Sequence, residues 1–322
     1  MRVLVTGCAG FIGSHLCERL LDAGHAVTGV DALTEHYDPA LKRRNLETCL
    51  RSDGFRFLHS FIADLSAAVL QDAELVFHLA ARPGVRTSWG SEFGSYVTHN
   101  ILETQHLLES LRNSSCLRRL VFASSSSVYG NTAGAQVSED STAAPFSPYG
   151  VTKLAAEHLC SLYSENFGVP TVSLRLFTVC GPRQRPDMLL SRLISAALFG
   201  KKLTLYGSAQ MERDFTCVRD VADALVLAAE HPTQHRIFNI SGGQPASVED
   251  AIRLVEKILG TRIDVEQGAG QHGDVRCTAA DLTRARAELG YSPSWRLEDT
   301  VRAQVEFTRQ YPPPAVRTVE AG

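Results

Sequence analysis

Three glycines set directly behind a strand-like run constrain this chain more than any other feature. Val3-Leu4-Val5 is an apolar run suited to a buried strand, and Gly7, Gly10 and Gly13 follow it as G-x-x-G-x-x-G. At such a place the chain must turn tightly, let an anion approach bare backbone, and begin a helix packed close against the strand. Phe11 and Ile12 lie in the opening of that helix, whose free N–H groups and positive dipole end suit phosphate. Alone, the triplet also describes an ordinary strand-to-helix turn, so its surroundings decide.

Those surroundings alternate short apolar runs with helical stretches: RVLVT, a helix from about Ile12 to Ala23, AVTGV, FRFLHSFI, ELVFHL, a helix near Val97 to Leu111, and LRRLVFAS. The alternation predicts an α/β fold, a Rossmann-type doubly wound parallel sheet covered on both faces. A further helix is expected from about Tyr149 to Asn166, then the strand TVSLRLF. From Cys180 the texture changes to loops rich in Gly, Pro and Arg with short strands, LTLYG and RIFNI, and helices near Val221 to Ala229 and Val248 to Leu259. We therefore expect a dinucleotide-binding domain over 1–179, a smaller α/β substrate-binding lobe over 180–311, and a flexible tail over 312–322, where three prolines follow Tyr311.

Composition narrows the partners. A net charge of −3 over 322 residues lacks the basic excess that a phosphate backbone requires, so nucleic acid is not expected. Eight dispersed cysteines without a C-x-x-C pair suggest reduced thiols, with neither a disulfide framework nor a metal site. The first strand starts at once and no apolar run nears the roughly 18 residues that span a bilayer, so the expectation is a cytoplasmic protein without a membrane partner.

Asp31 ends the second strand eighteen residues beyond Gly13, where a carboxylate can accept hydrogen bonds from an adenosine ribose. It favours NAD over NADP, because a 2′-phosphate would place like charges together, although Lys42, Arg43 and Arg44 could soften the repulsion. Asp64 and Leu65 after the third strand fit an adenine-side contact, and Leu79, Ala80 and Ala81 after the fourth fit a close backbone pass along the cofactor. Tyr149 and Lys153 are four apart near a helix start, hence on one face. A nearby ammonium and a nicotinamide cation would acidify the phenol and make it a usable base. Ser125, in the serine run after the fifth strand, is placed to donate to a substrate oxygen while charge develops there.

Together TGCAGFIG, Asp31, Asp64-Leu65, HLAA, SSSSVYG, YGVTK and RDFTCVRDVADA resemble the extended short-chain dehydrogenase/reductase family, the nucleotide-sugar epimerases and dehydratases. The resemblance implies a tightly held NAD, a UDP-sugar in the cleft, and a homodimer built from helices near 97–111 and 150–166. Family members that eliminate or decarboxylate carry an acidic residue just before V-Y-G, where this chain has Ser126 and Ser127. The stretch from Phe177 to Met188 is similar to that of UDP-glucuronate 4-epimerases, with Cys180 in place of the usual tyrosine. By that resemblance Thr178 and Arg185, helped by Ser126 and Ser127, would meet the sugar carboxylate, and Arg86 belongs to the same subgroup pattern. Arg213 resembles the diphosphate-binding arginine, Tyr206 a residue beside the uracil or ribose, and Asp274 with Arg276 a last ribose or diphosphate station. The expected activity is C4 epimerisation of UDP-glucuronic acid to UDP-galacturonic acid through a 4-keto sugar. The alternatives are a UDP-glucose/UDP-galactose 4-epimerase, a UDP-glucuronate decarboxylase, and, from another class, a dinucleotide-sensing protein without chemistry.

Overall fold

The computed structural model describes residues 1–132 and 135–312; of the expected flexible tail, all but residue 312 lies outside them. The first part contributes β1 (Arg2–Thr6), α1 (Phe11–Asp22), β2 (Ala26–Asp31), α2 (Pro39–Asn45), β3 (Phe55–His59), α3 (Ala67–Gln71), β4 (Leu75–His78), α4 (Phe93–Val97), α5 (Glu103–Leu111), β5 (Arg119–Ser125), α6 (Pro148–Phe167) and β6 (Thr171–Leu176). The second contributes β7 (Val179–Cys180), α7 (Leu189–Phe199), β8 (Leu203–Tyr206), β9 (Glu212–Asp214), β10 (Thr216–Cys217), α8 (Val218–Glu230), β11 (Ile237–Ile240), β12 (Pro245–Ser247), α9 (Val248–Leu259), β13 (Val265–Gly268), α10 (Thr283–Leu289) and α11 (Leu297–Gln310).

Seven strands form one parallel sheet in the order β11-β6-β5-β4-β1-β2-β3. Strand alternation divides the core in two. Val5, Phe77 and Val121 turn to the face covered by Leu16 and Leu20 of α1 and Leu225 of α8. Leu4, Val76 and Phe122 turn to the face covered by Leu107 and Leu111 of α5 and Ala156 of α6. With helices on both faces the inner strands read as continuous apolar runs, and β4 is buried at all four positions.

The change of texture at Cys180 is not a clean cut in space. After β7, the chain crosses back: α8 packs on α1, and β11 adds the edge strand beside β6. Val221, Phe238 and Ile240 belong to the same core as Val5. The second lobe has its own core of Leu190, Leu193 and Ile194 from α7, Ala251 and Val255 from α9, and Val301 and Val305 from α11.

The helix expected near Val97 to Leu111 is instead a run from Phe93 to Leu111 interrupted by a π turn, Thr98–Leu102. The extra residue in that turn carries Asn100 inward. Its Nδ2 donates to Thr152 Oγ1 at 2.9 Å and to the Arg82 carbonyl at 3.1 Å, and its Oδ1 accepts the Arg82 N–H at 2.7 Å. Helix α6 has the ends its sequence promises: Ser147 caps Gly150 N–H, Pro148 follows in the first turn, and Gly168 ends it left-handed at φ 71. No helix among the described residues is long and apolar enough to cross a membrane.

Candidate active site

A cleft of about 640 Å³ opens at the carboxyl ends of the central strands, where the strand order reverses between β1 and β4. Its floor is the glycine turn. Gly7 adopts φ +74, and a Cβ there would lie 2.7 Å from Ala80 N; a Cβ on Gly13 would lie 2.1 Å from the Gly7 carbonyl. The two backbone passes are therefore in contact, and Gly7, Gly10, Phe11, Ile12, Gly13, Leu79, Ala80 and Ala81 all line the cleft. His78 explains how the second pass is held. It bridges Thr6 Oγ1 at 2.8 Å and Thr104 Oγ1 at 2.9 Å, and Thr6 Oγ1 accepts the Ala80 N–H at 3.2 Å. Burial, with Lys153 nearby, pushes His78 down to about 3, so it works as a neutral strut.

Asp31 faces the cleft with its carboxylate aimed by two backbone donors, Ala9 N–H at 3.1 Å and Leu33 N–H at 2.8 Å. The remaining lone pairs suit two ribose hydroxyls. A dinucleotide thus fits the cradle on three observations: cleft size, bare backbone where a Cβ would collide, and an oriented carboxylate. Of the three basic residues considered beside Asp31, Lys42 lines the cleft, tied to Thr34. Arg44 instead lies over the rings of Phe307 and Tyr311. Asp64 and Leu65 need correcting. Asp64 is exposed and Leu65 packs under the sheet, so neither lines the cleft, whose wall there is Ser60, Phe61 and Ile62. The strand ends at His59, earlier than the apolar pattern FRFLHSFI suggests, and a short 3-10 turn over 62–64 moves the contact upstream.

Tyr149, Lys153 and Ser125 come together on the opposite wall. Tyr149 is half-buried, its ring forming part of that wall and meeting the Tyr96 ring edge-on at 6.3 Å. Burial pushes the phenol above its ordinary value, while hydrogen bonding with Ser125 and the charge of Arg185 pull it back. Ser125 Oγ also accepts the Ser127 N–H at 3.2 Å. Lys153 is buried, lies 4.8 Å from the centre of the Phe122 ring, and donates to the Ala123 carbonyl at 2.7 Å. Burial lowers it to about 8.

A second pocket of about 170 Å³ adjoins the first, sharing Ser126, Ser127, Thr178 and Val85 with it and adding Arg213 and Asp274. Arg86, outside that lining, makes a two-point ion pair to Asp274 at 3.3 and 2.9 Å and lies 5.1 Å from the centre of the Tyr206 ring, which is also outside it. Arg192, which sequence reading missed, lies over the same ring at 5.7 Å. Arg213 donates to the Glu212 and Arg276 carbonyls. Arg276 itself is exposed and outside the pocket lining, so its contribution is its backbone rather than the side-chain contact expected. Arg185 lines the larger cleft and holds Asp187 through Nε at 3.0 Å and Nη2 at 2.9 Å. Tyr96 was also missed. Its hydroxyl bonds the Pro83 and Gly84 carbonyls and Thr87, fixing the loop that carries Arg86.

A profile of the NAD dependent epimerase/dehydratase family matches residues 3–241. A crystal structure of UDP-glucuronic acid 4-epimerase from Bacillus cereus in complex with UDP-glucuronic acid and NAD is similar at a TM-score of 0.92 and 43% identity, over 96% of this chain and 99% of that one. An uncharacterized UDP-glucose epimerase of Bacillus subtilis, YtcB, is 44% identical over 312 residues, covering 95% of this chain and 98% of the relative. The UDP-glucuronate 4-epimerase of Thermodesulfobacterium geofontis is 34% identical over 312 residues, covering 95% and 96%.

Proposed function

The chain belongs to the NAD-dependent epimerase/dehydratase family, and from that premise we propose that it converts UDP-glucuronic acid to UDP-galacturonic acid by NAD-dependent epimerisation at C4, without decarboxylation. One observation carries the reading. Tyr149 and Ser125 stand where a dinucleotide-sized cleft meets a smaller pocket, and the shared wall is hydroxyl-rich Ser126, Ser127 and Thr178.

NAD, which the glycine turn, Asp31 and Lys153 would hold, would supply reversible hydride exchange at C4, so that the sugar passes through a transient 4-keto form. Tyr149 takes the O4 proton and gives it back. Ser125 Oγ accepts the Ser127 N–H, which leaves its single O–H to donate, to the phenol while the cleft is empty and to O4 as charge develops there. Lys153, fixed by one bond to Ala123, keeps its other N–H groups for the nicotinamide ribose. Arg213 and Asp274, with Arg86 and Tyr206, hold the UDP end.

The 4-keto intermediate is a β-keto acid, which loses carbon dioxide when its C5–C6 bond aligns with the carbonyl π system. Ser126, Ser127 and Thr178 hold the carboxylate out of that alignment. Arg185 helps with the Nη1 edge that Asp187 leaves free. A cytoplasmic homodimer completes the proposal, supported by exposed Leu102, Val151, Leu162 and Phe167 on the two helices assigned to the interface.

The test is incubation of purified protein with UDP-glucuronic acid, with and without added NAD, followed by product NMR. UDP-galacturonic acid is expected. A UDP-pentose product would identify a decarboxylase, conversion of UDP-glucose alone would identify a neutral-sugar epimerase, and no turnover of either sugar would end the enzymatic reading.

A further inference from the structure

The contact between α6 and β5 continues one helical turn beyond the catalytic pair. Tyr149, Lys153 and Glu157 recur at intervals of four and share a face of α6. They face three consecutive residues of β5: Tyr149 lines the cleft together with Ser125, Lys153 donates to the Ala123 carbonyl, and Glu157 Oε2 accepts the Ser124 hydroxyl at 2.8 Å. Glu157 is only 2% exposed, and its carboxylate is paired with Arg175 of β6 at 2.5 and 3.1 Å. Resting on the assignment of Tyr149, Lys153 and Ser125 made above, we propose that Glu157 is a positioning residue for this centre, clamping the strand that presents Ala123 and Ser125 to the helix that carries the tyrosine and lysine.

The clamp brackets the serine turn at both ends. Ser124 and Arg175 are register partners on β5 and β6, so one carboxylate reaches both. On the far side, the Arg175 guanidinium lies 4.7 Å from the centre of the Tyr129 ring, and Tyr129 OH donates to Asn239 Oδ1 at 2.7 Å. Asn239 is in turn the β11 register partner of Arg175. Ser125, Ser126 and Ser127 thus run between Ser124, bonded to Glu157, and Tyr129, stacked on Glu157's partner. Packing alone gives no reason for this pair, because an apolar pair of similar volume in a core is commonly as stable as an ion pair. The Glu157 charge is taken up by its buried pairing with Arg175. What remains is geometry, and a small misplacement of reacting groups costs rate steeply.

Ser124→Ala removes the strand's hold on the carboxylate without unpairing a charge, so the variant is expected to fold. Its kcat should fall about tenfold with KM changed less than about twofold. Its rising acid limb of activity should move to higher pH, because a loosened Ser125 no longer draws the phenol down. A merely structural residue would lower the melting temperature without moving that limb. Glu157→Gln, where it folds, should lose more rate in the same pattern. A Ser124→Ala enzyme with wild-type kcat and an unmoved limb overturns the proposal. The series is read on whichever of UDP-glucuronic acid and UDP-glucose the wild type turns over. An active wild type with an unaltered variant therefore sinks the clamp alone, whereas a wild type inert on both sinks the catalytic assignment beneath it.

Discussion

Replacing Lys153 by Met separates the folding cost of a buried ammonium from its use in turnover. The side chain is buried, with one fixed partner, the Ala123 carbonyl, and burial moves it from 10.5 down to about 8. In the unfolded chain the group titrates near its ordinary value, so between these limits unfolding takes up a proton, and the stability this site allows rises with pH. Well below pH 8 both states are charged and the full burial penalty is present; well above 10.5 both are neutral and it has gone. The displacement corresponds to roughly 3 kcal/mol in all, of which roughly 2.5 kcal/mol falls between about pH 7 and about pH 10. Methionine keeps the stem and does not titrate. Denaturant unfolding of wild type and Lys153→Met without cofactor, at pH 7, 8.5 and 10, should show the wild type gaining on the variant by about that amount. The variant should also be inactive throughout, its ribose donor lost. A stability difference that stays flat across the range would mean that burial does not disfavour this ammonium, and the reasoning would fail.

Tyr149→Phe should lower kcat by about 10²- to 10⁴-fold while dinucleotide binding, followed by protein fluorescence, persists; near-normal turnover would remove the base assignment. Arg185→Ala should raise KM for UDP-glucuronic acid by about tenfold or more and that for UDP-glucose far less, since only the acid loses a charge-assisted bond. Equal losses would end the carboxylate role. Asp31→Ala should weaken NAD binding by about tenfold and narrow its preference over NADP, measured by equilibrium titration of both; an undiminished preference would place the discrimination elsewhere.

The cofactor half was legible because its chemistry is local. A backbone that must pass within contact of Ala80 demands glycine at Gly7, and a helix repeat puts Tyr149 and Lys153 on one face whatever surrounds them. What escaped depends on distant partners or on one-residue shifts. Asp64 and Leu65 fall outside the cleft lining because β3 ends three residues before the apolar pattern does. The π turn at Thr98–Leu102 has no composition signal, although it is what turns Asn100 inward. β11 lies far along the chain from β6, and nothing in RIFNI says that it rejoins the first sheet. Glu157 did leave a trace, since it extends the Tyr149 and Lys153 stripe by one more turn. Its meaning needs Arg175, which arrives only with the next strand.

Arg185 ties specificity to base strength. Burial holds the Tyr149 phenol above its ordinary value, and Ser125 and Arg185 pull it down. Ser125 does so by a hydrogen bond and Arg185 by its charge, while Asp187 sits against one edge of that guanidinium. The arginine proposed to grip the sugar carboxylate therefore also keeps the base usable. A role confined to binding would make Arg185→Ala a KM variant with an unmoved pH profile. The shared role makes the rising acid limb shift upward as well, even with neutral UDP-glucose, which offers that arginine no carboxylate to lose.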